Sequence, residues 1–481
     1  MKLSHKSVSR IAVSSLTASL LLFNQSAFAS AFQIYEQNGA GVGNFDAGMA
    51  AEAADASTAW YNPAGLVRMD KPQIVVGTAV IHADPEFKGQ VTNQVNANLP
   101  PIAGGSRLFQ VSNQTGSTTG GGYFPIPSLH IAVPFNDRIY GGLSVVAPFG
   151  LETDWGKDSV VRYAGTTTQI QDIDITPSIA FKFNEHLSVG AGIDFNHIDS
   201  IFNSVSGFGN ISRFFTDPIT GDNYPNTVTA TDTRSKNKLD DRATSWHGGI
   251  LYQFDENTRV GVTYHSRVHV HASGKSEFIG PLSAIANNSS DGYLRSDVKS
   301  NFTLPDTLGA GVYHKVDEHW AVMGNVNYTR WSVFDNVTLQ NVAAVFQGLS
   351  GGLVPTPFIR PANVDVSVPQ NFHNVWRFAV GLNYHLNEKW MFRMGFGIEP
   401  TPLNDRDADI RLPDGDRYNV AIGAHYQPTK NLGFDLGWTH IFVKDRDLNY
   451  SVTAAQQVTK VDGHVKNSGD ILGLQLNYTV A

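Results

Sequence analysis

Leu187-Ser188-Val189-Gly190-Ala191-Gly192-Ile193-Asp194-Phe195-Asn196 alternates apolar side chains with small and polar ones. Successive side chains on a strand point to opposite faces, so this stretch describes a sheet with one greasy and one wet surface. Leu472, Leu474, Leu476, Tyr478 and Val480, interleaved with Gly473, Gln475, Asn477 and Thr479, repeat the pattern near the end of the chain. Whether the greasy face meets a core or lipid decides the class of protein.

The connections point to lipid. Short reversals rich in Asn, Asp and Glu fall at 135–137, 184–186, 255–257, 316–318, 386–388 and 428–431. They alternate with long connections at about 88–126, 149–163, 204–239, 279–292, 341–370, 399–416 and 445–462, longer than a compact soluble domain usually carries. Tight turns on one side and long loops on the other are the layout of an outer-membrane barrel. Between them lie 14 strand segments: 72–87, 127–134, 138–148, 164–183, 187–203, 240–254, 258–278, 293–315, 319–340, 371–385, 389–398, 417–427, 431–444 and 463–480. An even count closes an antiparallel barrel with no edge left in hydrocarbon. The competing reading is a soluble β-sandwich. Against it stand aromatics near segment ends (Trp320, Tyr328, Trp331, Trp376, Tyr384, Trp390 and Trp438), as at a membrane interface.

The N-terminus agrees. Lys2, Lys6 and Arg10 precede an apolar stretch from Ile11 to Phe23, and Ala27-Phe28-Ala29 forms a small-residue cleavage site, the order of a secretory signal peptide over 1–29. Removing those three bases leaves 32 basic against 43 acidic residues, so the formal charge moves from −8 to −11 and argues against a nucleic-acid partner. The chain has no cysteine, hence no disulfide, lipidated thiol or thiolate metal site. No later run approaches the roughly 18 apolar residues of a membrane helix. A mean hydropathy of −0.18 does not contradict a barrel, since only alternate residues face lipid.

Residues 30–71 fall outside the alternation. Gly39-Ala40-Gly41-Val42-Gly43 and Ala50-Ala51-Glu52-Ala53-Ala54-Asp55-Ala56 are small, and Phe32, Ile34, Tyr35, Phe45 and Trp60 would be exposed on a free tail. The segment therefore reads as an N-terminal hatch plugging the barrel of 72–481. Its glycines superficially suggest a nucleotide loop, but no buried strand precedes them and no Lys-Ser/Thr follows.

Ala31-Phe32-Gln33, Asn62-Pro63-Ala64, Ala147-Pro148-Phe149-Gly150-Leu151 and Arg411-Leu412-Pro413-Asp414-Gly415-Asp416-Arg417-Tyr418 occur in that order over nearly the whole mature chain. In this the sequence resembles the FadL family of outer-membrane transporters for hydrophobic compounds. The resemblance implies an all-β fold, a 14-stranded transmembrane barrel plugged by an N-terminal hatch. It also implies passive inward transport of long-chain fatty acids or, in some members, aromatic hydrocarbons. Such cargo needs a staged apolar path, because each CH₂ costs roughly 0.8 kcal/mol in water and a sixteen-carbon tail on the order of 10 kcal/mol. It further implies a kinked third strand that opens the wall sideways, which here falls between Gly141-Gly142 and Pro148-Phe149-Gly150, where glycine and proline weaken pairing. A plain strand end at those residues is the other reading.

Phe32 and the strand at 371–385 supply the candidate ligand-binding residues. If that strand is regular throughout, Phe372, Asn374, Trp376 and Phe378 share one face, and His373, Val375, Arg377 and Ala379 the other, so His373 and Arg377 point inward. The family resemblance implies a lysine where this chain has His373. A histidine anchor predicts carboxylate binding that tightens as pH falls through about 6.5. Arg377 could equally be a lumenal charge paired with an acid. The resemblance also implies a second cation, which cannot be placed in the stretch from Phe202 to Arg213.

His265, Arg267, His269 and His271 share one face of a regular strand, as a polar lumen wall or, less simply, as metal ligands. Asp405, Asp407, Asp409, Asp414 and Asp416 could bind calcium or face lipopolysaccharide in a solvated loop. Neither set calls for a cofactor or metal. A general polar porin and an outer-membrane hydrolase are the alternative functions, but the apolar hatch opposes the first and no nucleophile motif supports the second. The expected protein is a non-enzymatic monomer in the Gram-negative outer membrane, in contact with lipid and lipopolysaccharide. The ending Tyr478-Thr479-Val480-Ala481 lacks the terminal aromatic residue frequent in such barrels.

Overall fold

Fourteen antiparallel strands close on themselves in a computed structural model that describes residues 31–98, 106–209, 221–223, 227–288, 290–349 and 357–480. The leader expected at 1–29, and Arg213, lie outside the described residues. The barrel strands are β1 (Gln73–Ala83), β2 (Gly122–Pro134), β3 (Ile139–Val146, resuming as Gly150–Asp154), β4 (Thr167–Lys182), β5 (Leu187–Phe202), β6 (Thr233–Gln253), β7 (Thr258–His265 and Val268–Ile279) and β8 (Tyr293–Leu304 and Thr307–Lys315). They continue as β9 (Trp320–Thr329), β10 (Val375–His385), β11 (Trp390–Glu399), β12 (Arg417–Thr429), β13 (Leu432–Val443) and β14 (Ser468–Thr479). Closure comes from β1 on β14, in register from Gln73↔Thr479 to Ala83↔Gly469.

The outward rows are apolar and exposed, as with Val380 and Met394 at 58%. A water-soluble molecule would not leave such continuous rows uncovered, whereas a barrel wall presents them to lipid. The inward rows are polar: Asp194, Asn196, Ser245, His247, Asn419 and Asp435 are all buried.

Residues 31–69 lie inside, with a 3-10 turn at Gly41–Asn44, a helical turn at Thr58–Tyr61 and a second 3-10 segment at Pro63–Arg68. Glycines on both sides permit the contact. A Cβ on Gly43 would sit 2.9 Å from the Cα of Gly423, so the segment reaches the wall only because both positions lack side chains. Asn62, at the start of the last segment, accepts from the N–H of Ala64 at 3.1 Å and donates from Nδ2 to the carbonyl of Ala50 at 2.6 Å, while Pro63 sets the first helical residue.

Three sequence expectations change. The long connections at 88–126 and 445–462 are largely hairpins, Glu86–Asn98 with Ser106–Thr119 and Arg446–Ala454 with Gln457–Lys466, which join in a separate four-stranded sheet. Residues 336–369 likewise form a hairpin, Asn336–Leu349 on Pro357–Pro369. Trp331, expected at the membrane interface, is 0% exposed and lies inside. Finally, β7 and β10 are not regular throughout, and a break of pairing moves side chains to the other face. In β7 the ladder stops at Ser266–Arg267, so His265 faces inward while His269 and His271 are exposed.

Candidate functional site

Phe32 is 0% exposed and sits in a ring of aromatic side chains drawn from distant parts of the chain. Its ring centroid is 4.8 Å from that of Trp331, 5.1 Å from Phe334 and 6.2 Å from Phe149, all edge-on. Phe372 packs on the far side of Trp331 at 5.6 Å. These edge-to-face contacts each add about 0.5–1.5 kcal/mol to plain burial.

Phe32 also lines an apolar cleft walled by Leu151, Ile170, Phe202, Phe334 and Leu412. One cation enters the cleft, Arg411, from the irregular loop between β11 and β12. The loop is held over the cleft by three hydrogen bonds: Trp155 Nε1 to the carbonyl of Ile410 at 2.9 Å, Thr153 Oγ1 to that of Arg411 at 3.1 Å, and the Ile410 N–H to the Tyr450 hydroxyl at 3.1 Å. Among the described residues the Arg411 guanidinium has one hydrogen-bond acceptor, Thr168 Oγ1 at 2.9 Å, and no salt bridge. Burial pulls its pKa below the ordinary arginine value, as expected of a desolvated cation. Asp409, also in the cleft, accepts from the N–H groups of Arg411 and Leu412 at 2.8 and 3.2 Å, and burial raises its pKa above the usual carboxylate range.

The same Phe32 touches a gap in the barrel wall. Between Val146↔Asp174 and Gly150↔Gln171, three residues of β3 (Ala147, Pro148, Phe149) oppose two of β4, a bulge. Below it β3 pairs with β2 from Pro134↔Tyr140 to Leu129↔Val145. Above it, among the described residues, no ladder register joins β2 to β3, and the next backbone contact is the Asp154 N–H donating to the Gly120 carbonyl at 3.0 Å, just before β2 begins. The Phe135 N–H donates to the Ile139 carbonyl at 2.9 Å, so the odd-numbered residues of β2 direct their N–H toward β3. Pro125 and Pro127 are two of these odd residues and have no N–H to give.

Hatch residues take the vacant edge instead. The Ile34 N–H donates to the Pro148 carbonyl and the Gly150 N–H to the Phe32 carbonyl, both at 2.8 Å, with Gln33 bridged to Phe149. Gln37 completes the seal: its Nε2 donates to the Ala147 carbonyl and its Oε1 accepts from the Ala147 N–H, both at 2.8 Å. Gly141 and Gly142 do not take part in the bulge. They lie in regular strand, where a Cβ on Gly142 would come 2.7 Å from that of Ala59, so glycine there admits the hatch.

The strand at 371–385 is corrected here. Asn371 adopts φ +46°, and residues 370–374 are not strand; the His373 N–H donates to the Pro402 carbonyl at 2.9 Å and Asn374 accepts from the Ser332 N–H at 2.9 Å. The break puts Phe372 inside and leaves His373 exposed, outside the cleft. Arg377 does point inward, 1% exposed, but against the hatch. It donates to the Phe45 carbonyl at 2.9 Å, lies 3.9 Å over the Phe45 ring and 4.3 Å over Tyr35, and has Glu399 at 3.8 Å.

His265 stacks with His247 at 5.3 Å and lies tilted against Trp60 at 4.4 Å. Asp194, His247 and Ser245 are neighbours here, but they are not wired as a hydrolase. His247 Nδ1 meets Asp194 at 2.6 Å, while Nε2 faces the Ala59 carbonyl at 3.1 Å and Ser245 Oγ bonds Asp194 and Asn196. The loop acids do not converge on one point either. Asp405 pairs with Arg446 at 3.4 Å, Asp407 with Arg406 at 2.8 Å and Asp414 with Arg417 and Thr401, while Asp416 accepts from the Thr401 N–H at 3.1 Å. Arg411, Trp331, Phe334, Gln37 and the two prolines carry the site's geometry, yet sequence reading gave none of them a role in it. The sequence pattern puts Pro125 in the connection 88–126 and Pro127 at the first residue of the segment 127–134, so the pairing of the two prolines on one strand edge emerges only from the observed extent of β2.

A family profile described as "Outer membrane protein transport protein (OMPP1/FadL/TodX)" matches residues 20–480. The long-chain fatty acid transport protein of Escherichia coli O6:H1 is 26% identical over 443 residues, covering 89% of this chain and 90% of that one. Outer membrane protein P1 of Haemophilus influenzae is 26% identical over 491 residues, 96% of this chain and 98% of its own. Among solved structures, a Pseudomonas aeruginosa FadL homologue superposes with a TM-score of 0.75 at 22% identity, covering 93% of this chain and 99% of that one. The Ralstonia pickettii toluene transporter TbuX gives 0.59 at 17%, covering 92% and 100%. These likenesses establish the shared fold. With a plugged barrel and a profile match across almost its whole length, the chain belongs to the outer membrane protein transport family (OMPP1/FadL/TodX) and resides in the outer membrane of a Gram-negative bacterium.

Proposed function

We propose that the protein carries long-chain fatty acids inward, binding the tail against Phe32 and the carboxylate at Arg411, and releasing the molecule sideways between β2 and β3. One observation carries the reading: the guanidinium of Arg411, which makes no salt bridge among the described residues, reaches into a mostly apolar cleft whose acid, Asp409, is turned to the backbone N–H groups of Arg411 and Leu412. An amphiphile with one negative end and a long apolar body offers the guanidinium a charge-assisted contact and the apolar wall a tail.

Phe32 links binding to release. Its side chain floors the cleft and its carbonyl is bonded to Gly150 at the wall gap. A tail that pushes the ring aside draws Phe32–Ile34 off the β3 edge, and Pro125 and Pro127 keep β2 from taking that edge over. Asn62-Pro63-Ala64 anchors the far end of the hatch against the wall and remains in place. The relatives named for fatty acids support the cargo, and the solved toluene transporters support the architecture.

The ring of aromatic side chains around Phe32 favours one second reading, uptake of monoaromatic hydrocarbons. Equilibrium binding of oleate and of toluene to the purified barrel separates the two. Oleate binding weakened by Arg411→Ala and by Phe32→Ala supports fatty-acid transport. Binding of toluene alone reassigns the cargo, and steady ion conductance with neither ligand returns the porin reading.

A further inference from the structure

The lipid-facing wall is not uniform around the barrel. From the turn after β6 the outward row runs Phe254, Tyr252, Ile250 and Trp246, all exposed, and then changes character to Arg242, Asp240, Lys238, Lys236 and Arg234, four bases to one acid. A tilted strand crosses the hydrocarbon in about 9–11 residues, so an apolar span rising from Phe254 ends near Thr244. Arg242 therefore stands at the outer rim of the membrane and the three bases above it stand outside. On the neighbouring strands Lys275 of β7 and Arg295 and Lys299 of β8 are exposed on the same face.

The register crowds these cations together. Lys238 lies directly opposite Lys275, and Arg242 opposite His197 of β5. Like charges paired across a ladder oppose sheet formation unless an anion lies between them. The acids nearby number fewer than the bases: Asp240 faces Asp199 across the ladder, Asp199 sits 3.5 Å from His197, Asp297 pairs with Lys275, Asp241 accepts from the His271 N–H at 2.6 Å, and Glu277, opposite Lys236 and Arg295, accepts from the Tyr293 hydroxyl at 2.7 Å. Among the described residues Arg234, Lys236, Lys238, Arg242, Arg295 and Lys299 make no salt bridge. Elsewhere the outward rows of β1 (Ile74 to His82), β13 (Phe434 to Phe442) and β14 (Leu472 to Tyr478) contain no lysine or arginine.

We infer that the outer face of β6–β8, centred on Lys238, Arg242 and Lys299, is a binding site for the phosphate groups of lipopolysaccharide. The occupant follows from position. A cation row facing outward at the outer rim meets the head-group layer of the outer leaflet, where phosphorylated lipid A and inner-core sugars sit. Trp246 just below offers an apolar and hydrogen-bonding surface at the acyl boundary. Arginine and lysine are the side chains suited to phosphate, and the cluster is multivalent.

The test is native mass spectrometry of the full barrel titrated with rough lipopolysaccharide, with the same material dephosphorylated, and with inorganic phosphate. The expected result is a complex with the phosphorylated form that weakens at least tenfold in Lys238→Gln/Arg242→Gln/Lys299→Gln and in high salt, with no complex from inorganic phosphate. Lys460→Gln, a cation on the separate four-stranded sheet, leaves the complex unchanged. Equal binding of the dephosphorylated form, or an unweakened complex in the triple variant, overturns the assignment; so does saturation by inorganic phosphate at the same concentration. Heat-modifiable migration confirms that the variant barrel is folded. Oleate binding is read separately, so this site and the uptake reading stand or fall independently.

Discussion

Arg411 and Phe32 divide the work of the cleft. Replacing Arg411 with Ala removes a charge-assisted contact of about 1.5–3 kcal/mol, so oleate affinity should fall about 10- to 100-fold while toluene binding is unaffected, as read by equilibrium titration. Guanidinium stays charged across the accessible range, and burial holds Asp409 above the usual carboxylate range. Protonation of Asp409 removes a negative charge from the cleft, so oleate affinity should rise as pH falls and become independent of pH in Asp409→Asn. His373→Ala should leave affinity and its pH profile unchanged, because the side chain is exposed away from the cleft. A rise in affinity through about pH 6.5 that disappears in that variant would restore histidine as the anchor.

The third strand and its neighbour work as a pair. The bulge at Ala147–Phe149 bends β3, and the two prolines stop β2 from following it. Pro125→Val/Pro127→Val restores two N–H donors on that edge. The double variant should bind oleate normally but deliver it to cells several-fold more slowly, a split between affinity and rate that simple misfolding would not give. Covalent closure tests the same element from the other side. Gln33 and Phe149 are bridge partners, within reach of a disulfide, and the chain has no other cysteine. Gln33→Cys/Phe149→Cys should block uptake when oxidised and recover it on reduction. Uptake that continues through the oxidised protein would place the exit elsewhere.

Across the whole molecule the hatch fills the lumen, and its contacts run around the wall: Asn62 to the Ile250 carbonyl at 3.2 Å, the Ala40 N–H to Gln475 at 3.1 Å, and the Ala31 N–H to Asp414 at 3.2 Å. The protein in a planar bilayer should therefore show no steady ion conductance, unlike an open barrel of this strand number. Gln37→Ala leaves the Ala147 N–H and carbonyl without their side-chain partner and should produce brief conductance bursts with the barrel still folded. Continuous current from the unaltered protein would contradict the plugged state.

Much of this architecture was legible in the residues, and the reason is locality. Alternation in stretches such as Leu187–Asn196, the Asn- and Asp-rich reversals and the small-residue N-terminal segment are local patterns, and a period of two leaves little freedom once the greasy face must meet lipid. Strand number, sidedness and membrane location follow from them. The site was less legible because it depends on breaks of that same period. The irregular backbone at Asn371–Asn374 exchanged Phe372 for His373 on the inner face, and the stop at Ser266–Arg267 separated His265 from His269 and His271. A single slipped residue inverts every assignment beyond it, and nothing in the local pattern marks where it falls. The cleft is further removed still, since Phe32, Trp331, Phe334 and Arg411 come from four distant segments. The sequence by itself determined a plugged barrel of a known family; only the closed tertiary structure decided which cation reaches the greasy cleft and where the wall is left unpaired, because both depend on segments brought together by closure.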